Sequence, residues 1–268
     1  MKKIILLIPH FNNPVGLKSS ILSINEDIPL DILIVDDGSN DKIDLADLQS
    51  NYLCGVIEIE YLSKNQGIEK ALNTGLAIIK SKNYKYVGRL DCGDFCKKDK
   101  FSKQISYLEE NNQIALLGSW ANVIDEDGNF MYDLKHPTSY DQIKKQIYIN
   151  STFVHPTVVF NTALLDKIGY YPENYKYAED YAFFIRIAKS FRVENYPEVL
   201  LDYVVSAESI SSKKRKQQVL SRIRIIYDNF YFGFHPVYGL LRNSILYFVS
   251  RANSDKIKKI ILYIKTRS

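Results

Sequence analysis

Residues 86–94 read Tyr-Val-Gly-Arg-Leu-Asp-Cys-Gly-Asp, a segment that begins with strand-forming residues and runs directly into two carboxylates. Gly93 suits a sharp turn, which would bring Asp91 and Asp94 together. In an open α/β sheet, ligands bind outside the carboxyl ends of the strands. Carboxylates at that position are well placed to hold a hard divalent cation and, through it, a diphosphate. Taken alone, the segment is equally compatible with a polar turn that closes a hairpin.

The preceding sequence makes this segment the fourth strand of an alternating series. The expected strands cover residues 3–9, 32–35 and 56–61, and the expected helices cover residues 17–24, 41–50 and 68–80. Strands and helices that alternate with short loops predict an α/β fold, with a Rossmann-like, mostly parallel sheet flanked by helices. No Gly-x-Gly-x-x-Gly follows any of these strands, so the dinucleotide-binding fingerprint is absent.

The regular alternation of strands and helices ends at about residue 112. Strands are expected at residues 115–120, 123–124, 157–160 and 193–205, helices at 140–149 and 179–188, and a hairpin at Asp127-Gly128. No internal repeat or low-complexity linker interrupts the sequence. Residues 1–211 are therefore interpreted as one domain, and residues 212–268 as a helical, basic and aromatic-rich C-terminal extension.

The composition is that of an ordinary soluble globular protein, with 46% hydrophobic and 25% charged residues among 268. The first apolar run is too short for a secretory leader, and three cysteines without zinc spacing favour a reduced, cytoplasmic compartment. Cys92 and Cys96 are expected to be structural. His10 and His136 are expected in loops.

Charge is distributed unevenly along the chain. Residues 212–268 carry thirteen Lys/Arg and two acids, Asp228 and Asp255, a net charge of +11, which leaves −7 for residues 1–211. No run in the extension reaches the roughly 18 apolar residues that span a bilayer. Helices lying in the interface of an anionic membrane are the functional interpretation, and packing on the domain or a homodimer contact is the alternative. Nucleic acid is disfavoured because the acidic body would repel a phosphate backbone.

Several blocks of sequence, in the same order and at similar spacing, resemble glycosyltransferase family 2. They are Ile8-Pro9-His10-Phe11-Asn12, Val35-Asp36-Asp37-Gly38-Ser39, Asn65-x-Gly67 with Ala71, Asn73 and Gly75, Arg89-Leu90-Asp91-x-x-Asp94, Gly118-Ser119-Trp120, His155-Pro156-Thr157 and Glu179-Asp180-Tyr181. The resemblance extends over residues 4–211. It implies the GT-A fold and an enzyme that transfers a sugar from a nucleotide-sugar donor to an acceptor, usually with inversion.

The resemblance also implies a role for each matching residue. Pro9 and Phe11 would line the nucleotide site, Asp37 would bind the base, and Lys70 and Arg89 would lie near the ribose and phosphates. Asp91 would be the first acid of the family's Asp-x-Asp motif and would bind nucleotide and metal. Asp180 would be the catalytic base, and the donor sugar and acceptor would be surrounded by Trp120, His155 and Glu179.

Two departures from the family pattern affect the diphosphate site. Gly93 stands where the second acid of Asp-x-Asp is expected, so a Mn²⁺ or Mg²⁺ ion would rest on Asp91 and Asp94. An Arg and a His that often precede a Ser-x-Ser block are absent before Ser209-Ile210-Ser211. Lys213, Lys214 and Arg215, just beyond that block, are candidates to supply the missing positive charge.

The sequence therefore predicts an inverting glycosyltransferase, with a UDP-sugar as the favoured donor and a surface-glycan or lipid-linked acceptor of the lipopolysaccharide, capsule or O-antigen type. It would act peripherally at the cytoplasmic membrane face. The alternative is a non-catalytic sugar-nucleotide-binding or scaffolding module of a membrane-associated glycan assembly. A nucleotidyltransferase lacks support, because no Gly-rich phosphate loop follows the first strand.

Overall fold

A computed structural model describes residues 2–205 and 214–249. The strands are β1 (Lys2–His10), β2 (Asp31–Asp36), β3 (Ile57–Tyr61), β4 (Tyr84–Arg89), β5 (Phe95–Cys96), β6 (Ile114–Ile124), β7 (Phe130–Leu134), β8 (Val159–Asn161) and β9 (Arg192–Val204). The helices are α1 (Pro14–Leu22), α2 (Leu45–Asn51), α3 (Ile68–Ser81), α4 (Lys100–Glu110), α5 (Tyr140–Gln146), α6 (Leu165–Ile168), α7 (Glu179–Ser190), α8 (Arg215–Asp228) and α9 (Phe234–Phe248). Two short 3₁₀ turns, His155–Thr157 and Thr162–Leu164, flank β8.

The strands form one mixed sheet in the order β3-β2-β1-β4-β8-β6-β9-β5, with β7 paired to β6. The pairs β3–β2, β2–β1 and β1–β4 are parallel, as the alternating sequence predicts. Short β8 runs antiparallel between β4 and β6, and long β9 lies parallel to β6. Because β1, β2 and β4 are parallel neighbours, their carboxyl ends meet at one edge of the sheet.

Apolar side chains cover both faces of the sheet. One cluster packs α3, α5 and α7 on one face, and the other packs α1, α2 and α4 on the opposite face. Residues of β1 alternate between the two clusters, with Ile5 and Leu7 in one and Ile4, Leu6 and Ile8 in the other. This is the period-2 side-chain alternation of a strand buried on both faces, and it explains the unbroken apolar run.

The second half differs from the expected elements in several details. Residues 115–120 and 123–124 belong to one continuous strand, and the strand expected at 157–160 is a 3₁₀ turn followed by β8. Helix α5 ends at Gln146 instead of residue 149. Gly128 lies in the hairpin turn between β6 and β7 with φ of 83°, as the Asp-Gly signal predicts.

The described part of the C-terminal extension packs on the body of the molecule. Ile225 and Ile226 of α8 are fully buried in the same cluster as α7. Helix α9 approaches the backbone at Tyr148 so closely that a Cβ on Gly239 would lie 2.0 Å from the Tyr148 carbonyl oxygen. Asn243 is also buried and donates to the carbonyl of Ile149 at 3.1 Å. The remaining extension residues, including Lys213 and residues 250–268, lie outside the described ranges.

Candidate active site

Asp37 holds the loop between β3 and α3. It directly follows β2, and its two carboxylate oxygens accept the backbone N–H groups of Gln66 and Gly67 at 2.8 and 2.9 Å. The side chain is buried, and desolvation raises its pKa although these two hydrogen bonds act in the opposite direction. Asp37 therefore fixes the start of α3 at the carboxyl edge of the sheet.

His10 and Asp36 form a buried pair across two neighbouring strands. Their residues are in register, and Nδ1–H of His10 donates to Oδ2 of Asp36 at 2.7 Å. His10 Nε2 accepts from the N–H of Asn13 at 3.2 Å, which assigns the imidazole as neutral. Desolvation raises the pKa of Asp36, but the bonds from Ser39 N–H and His10 outweigh it and leave that pKa lowered. The expectation of a loop position for His10 is wrong, because His10 is the last residue of β1.

Arg89 is the centre of a buried polar network at the end of β4. Its Nη2 donates to Asp91 at 2.6 Å, its Nε donates to His155 Nε2 at 3.3 Å, and its Nη1 donates to the carbonyl of Leu7. The hydroxyl of Tyr171 donates to the same Nε2 at 2.9 Å. Because burial and the Arg89 charge hold the pKa of His155 well below its ordinary value, His155 is neutral and accepts both bonds.

This network changes the interpretation of Arg89. The side chain has no exposed surface, and its donors point at protein groups. Asp91, in contrast, is 31% exposed at its side chain and is held in place by Arg89. Arg89 therefore orients the acid of the motif, and a contact between Arg89 and the nucleotide would be made through Asp91.

The acidic turn itself contains one exposed and one buried carboxylate. Asp94 is buried; its Oδ1 accepts from Val204 N–H at 2.9 Å, and its Oδ2 has no hydrogen-bond partner among the described atoms. Burial, followed by the charge of Asp91, raises the pKa of Asp94 well above its ordinary value. Gly93 has φ of 103°, and the space where its Cβ would stand is open.

These residues fit a divalent cation only in part. Asp91 offers an exposed carboxylate, and the unpaired Oδ2 of Asp94 is a possible second oxygen ligand. Within residues 2–205 and 214–249 no group of three or more His, Cys, Asp or Glu side chains is arranged to hold a metal ion. A cation here would take its remaining ligands from water and from the diphosphate, as Mg²⁺ commonly does.

Glu179 and Asp180 are adjacent buried acids at the start of α7. Burial, followed by the charge of Asp180, raises the pKa of Glu179 to about 8, and its Oε2 has no partner among the described atoms. Burial also raises the pKa of Asp180, with a contribution from Asp91, while Tyr181 N–H and Arg222 oppose the shift. Because the two carboxyl groups are neighbours, a charge on one opposes ionisation of the other.

The other predicted site residues lie at accessible positions. Phe11 is an exposed aromatic side chain at the loop after β1, and Pro9 is half-buried in β1. Lys70 pairs with Glu173 at 2.9 Å, with both side chains about half exposed. Trp120, in β6, is half-buried and donates from Nε1 to the carbonyl of His136 at 2.9 Å. His136 lies in a loop, as expected, and burial lowers its pKa to about 4.

Helix α8 contacts the turn that leads into Glu179 and Asp180. Gln218 donates to the carbonyl of Tyr177 at 2.9 Å, and Ser221 donates to the carbonyl of Lys176 at 2.8 Å. Tyr177 has a positive φ of 63°, which is uncommon for a bulky side chain and needs support from its surroundings. The extension therefore holds the segment that presents the candidate base.

Of the three cations expected to assist the diphosphate, Lys214 and Arg215 lie within the described residues. Lys213 is not described, Lys214 is exposed before α8, and Arg215 donates to the carbonyl of Val249 at 2.6 Å. The cation of α8 that interacts electrostatically with Asp180 is Arg222, which the sequence analysis did not single out. The basic, aromatic-rich composition predicted helices in the extension, but not which face of α8 would meet α7.

The fold and these strand-end carboxylates define a glycosyltransferase with the GT-A fold. The comparisons with known proteins agree. The sequence pattern of Glycosyl transferase family 2 matches residues 5–169, and the chain belongs to this family. An uncharacterized glycosyltransferase from Methanocaldococcus jannaschii is 31% identical over 220 residues, which cover 76% of this chain and 71% of the relative.

Two further similarities concern a named activity and a solved structure. The Escherichia coli UDP-Gal:alpha-D-GlcNAc-diphosphoundecaprenol beta-1,3-galactosyltransferase is 27% identical over 221 residues, covering 81% of this chain and 78% of the relative. The structure of a mannosyltransferase from Pyrobaculum calidifontis, in complex with GDP-Man and Mn²⁺, superposes with a TM-score of 0.63. It is 16% identical, with 90% of this chain and 68% of that chain covered, so this likeness concerns the fold.

Proposed function

We propose that the protein is an inverting glycosyltransferase that moves a sugar from a nucleotide-diphosphate sugar, with a UDP-sugar as the favoured donor, to a hydroxyl of a lipid-linked or surface-glycan acceptor. The observation that carries the proposal is the exposed carboxylate of Asp91, held at the end of β4 by the buried Arg89. Asp180, at the start of α7, interacts electrostatically with it. The relative that uses UDP-Gal and a diphosphoundecaprenol acceptor supports the donor and acceptor classes.

In this proposal Asp180 is the general base. Its pKa is raised by burial, which makes the carboxylate a stronger base. Asp180 removes the proton of the acceptor hydroxyl as that oxygen attacks the anomeric carbon, and the bond to the diphosphate breaks on the opposite face of the sugar. One carboxylate suffices for such an inverting step, whose transition state has oxocarbenium character.

The leaving diphosphate requires positive charge on the donor side. A Mn²⁺ or Mg²⁺ ion at Asp91, with Asp94 as a possible second ligand, would supply Lewis-acid stabilisation of that charge when bound. Arg89 would hold the Asp91 carboxylate at the required angle. Phe11 and Pro9 would contact the base and ribose, Asp37 would keep the adjacent loop in place beside the base, and Lys70 would reach the phosphates after leaving Glu173.

The acceptor side lies beside Trp120, His155 and Glu179 in this proposal. Protonated Glu179 can donate a hydrogen bond to a sugar hydroxyl near neutral pH. Trp120 offers a half-buried indole face for a sugar ring, and its position is fixed by the bond to His136. His155 would not contact the substrate directly, because its Nε2 already accepts hydrogen bonds from Arg89 and Tyr171. It would act by positioning Arg89.

We further propose that the enzyme works peripherally at the inner face of the cell membrane. Helix α9 carries an exposed apolar stripe at positions three and four apart: Phe234, Val237, Tyr238, Leu241, Ile245 and Phe248. Phe232, 96% exposed in the connection before α9, extends this stripe. None of the described helices is both long and apolar enough to cross a bilayer. An amphipathic helix with this stripe and basic flanking sequence suits the interface of an anionic membrane.

Asp180→Asn is the test of the catalytic proposal. A panel of nucleotide sugars, with and without Mn²⁺, identifies the donor from its hydrolysis or transfer. We expect Asp180→Asn to lower turnover by about 10²–10⁴-fold, the usual contribution of a general base, while the Kd for the donor stays within a few-fold. Full turnover in Asp180→Asn would refute the assignment of the base. Donor binding without turnover in the unaltered protein would instead favour a non-catalytic sugar-nucleotide-binding module.

A further inference from the structure

Two arginines of the C-terminal helices lie near the candidate base. Arg222 of α8 donates to Gln218, which in turn donates to the carbonyl of Tyr177, three residues before Asp180. Arg242 lies on α9, which packs against Tyr148 and Ile149, next to the Ile147 carbonyl that accepts from the hydroxyl of Tyr181. Consistent with these contacts, Arg222 interacts electrostatically with both Asp180 and Arg242.

The described residues leave the positive charge of this cluster only partly compensated. Arg222 donates to the neutral side chain of Gln218 at 3.1 Å. Nη1 of Arg242 is buried and has no hydrogen-bond partner among the described atoms. Within the described ranges no ion pair shorter than 4 Å joins Arg222 or Arg242 to a carboxylate, and Asp180 acts on Arg222 from a greater distance.

Buried guanidinium groups without an anion are costly, and repulsion between neighbours adds to the cost. Arg222 is half-buried, and desolvation lowers its pKa although the charge of Asp180 acts in the opposite direction. An anion that enters such a site would meet planar, poorly solvated donors, the arrangement that proteins use to bind phosphate groups. The cluster therefore has the chemistry of a phosphate site that a ligand completes.

We propose that Arg222 and Arg242 bind the diphosphate group of a lipid-linked acceptor, whose hydroxyl is thereby brought to Asp180. This inference rests on the proposed function. The donor diphosphate has its own candidate site at Asp91, whereas the arginines belong to the helices of the extension. A second diphosphate on the extension side suits an acceptor in which the sugar is linked to a lipid through a diphosphate.

The exposed stripe of α9 supports the same arrangement. Arg242 lies on α9 directly after Leu241, which is 61% exposed and part of the stripe. A lipid chain in the membrane surface would then meet the apolar side of the helix, while its diphosphate reaches the half-buried guanidinium beside it. In this proposal the diphosphate binds at Arg242 and the lipid chain contacts the exposed stripe of the same helix.

The test measures binding of a short prenyl diphosphate to the full chain saturated with UDP, so that the donor site is filled. Inorganic pyrophosphate and the matching uncharged prenol are the comparison ligands. We expect the prenyl diphosphate to bind more tightly than either, and Arg242→Gln or Arg222→Gln to weaken it by about 10-fold or more, as expected for the loss of a charge-assisted hydrogen bond. Lys216→Gln removes an exposed cation of the same helix and should leave the affinity unchanged.

The outcomes separate this inference from the proposed function. Equal affinity for the prenol and the prenyl diphosphate, or unchanged affinity in Arg242→Gln, would overturn the anion site. Equal affinity for pyrophosphate and prenyl diphosphate would overturn the lipid-linked source. Thermal unfolding of Arg242→Gln and Arg242→Lys shows that a loss of affinity is not a loss of folding. Loss of donor hydrolysis in Asp180→Asn tests the catalytic assignment separately, whatever the prenyl diphosphate does.

Discussion

The guanidinium of Arg89 reaches His155, its Nε–H donating to Nε2 of the imidazole at 3.3 Å. This bond joins the end of β4 to the 3₁₀ turn before β8. The same guanidinium holds Asp91 at 2.6 Å, and the same imidazole nitrogen accepts from Tyr171 at 2.9 Å. The exposed carboxylate of the acidic turn is therefore oriented by a chain of side chains that extends into the core.

This network predicts that substitutions of His155 and Tyr171 lower the free energy of unfolding by different amounts. His155→Phe removes the acceptor of two buried donors, and we expect it to lower the free energy of unfolding by about 2–4 kcal/mol. Tyr171→Phe removes one donor and leaves His155 paired with Arg89, so it should cost about 1 kcal/mol. Urea denaturation followed by circular dichroism measures both. Similar costs for the two substitutions would contradict the proposed role of Nε2 as a shared acceptor.

The backbone conformation of Gly93 predicts that a carboxylate at this position would lower stability and raise metal affinity. Its φ of 103° disfavours any side chain, but the position of its Cβ is open, so Gly93→Asp places a carboxylate beside Asp91 without a clash. We expect Gly93→Asp to cost about 1–2 kcal/mol of stability from the backbone alone. We also expect the Mn²⁺ concentration for half-maximal turnover to fall several-fold, because the cation gains an oxygen ligand.

Gly93→Ala is the matched control for that substitution. It carries the same backbone cost but adds no ligand, so its stability should fall as much while its Mn²⁺ requirement stays unchanged. Thermal unfolding and a Mn²⁺ titration of turnover provide the two readouts. If both variants respond to Mn²⁺ alike, the turn at Asp91 does not hold the cation.

The parallel half of the sheet could be predicted because each strand and helix there carries its own local signal. Residues 3–9 and 32–35 are apolar runs, and the ends of these strands are marked by Pro9 and by Asp36. Strands β5 and β8 contain two and three residues, too few for any periodicity, and they form because neighbouring strands offer backbone partners. Their places in the sheet therefore depend on tertiary structure.

Candidate site residues could be named from the sequence where they belong to a motif, but not where a role depends on a partner brought near by the fold. Asp91 and Asp180 follow from the motif, but the full burial of Arg89 depends on the loop that carries His155. His10 was assigned to a loop because His-Phe-Asn-Asn-Pro contains turn residues. Its buried bond to Asp36 would have followed from placing the two residues in register. Arg222 gave no signal, since only helix packing brings it near Asp180.

The burial of Lys100 predicts that the stability of the protein depends on pH. Its side chain is fully buried at the start of α4, Nζ has no hydrogen-bond partner among the described atoms, and the ammonium lies 3.6 Å from the centre of the Phe101 ring. Burial lowers its pKa from 10.5 to about 8. Below pH 8 Lys100 is protonated in the folded state, and burial of its charge lowers the free energy of unfolding by the full amount. Between pH 8 and 10.5 only the unfolded state binds the proton, so stability rises with pH.

Replacement of Lys100 by an apolar side chain of similar length should therefore stabilise the protein. We expect Lys100→Met to raise the free energy of unfolding at pH 7 by about 1–3 kcal/mol, the upper figure being the full linkage contribution of this pKa shift. The difference from the unaltered protein should shrink as the pH approaches 10.5. Urea unfolding at several pH values measures it, and Lys98→Met, at an exposed lysine nearby, should show no such difference.

The stripe of α9 predicts membrane binding that depends on particular side chains. Phe234, Leu241 and Phe248 are 73%, 61% and 85% exposed on one side of the helix. Removing three apolar side chains from a buried interface forfeits several kcal/mol at about 25 cal/mol per Å². We expect the triple serine variant to lose at least 100-fold in binding to vesicles of mixed phosphatidylglycerol and phosphatidylethanolamine, measured by co-sedimentation.

Leu53→Ser is the control for that variant, since Leu53 is 91% exposed in the loop after α2, far along the chain from α9. It should bind vesicles as well as the unaltered protein does, and high salt should weaken binding because the flanking sequence is basic.

A homodimer that covers the same stripe would give a different result. The unaltered protein would then sediment as a dimer without vesicles, the triple variant as a monomer, and vesicle binding would not distinguish them.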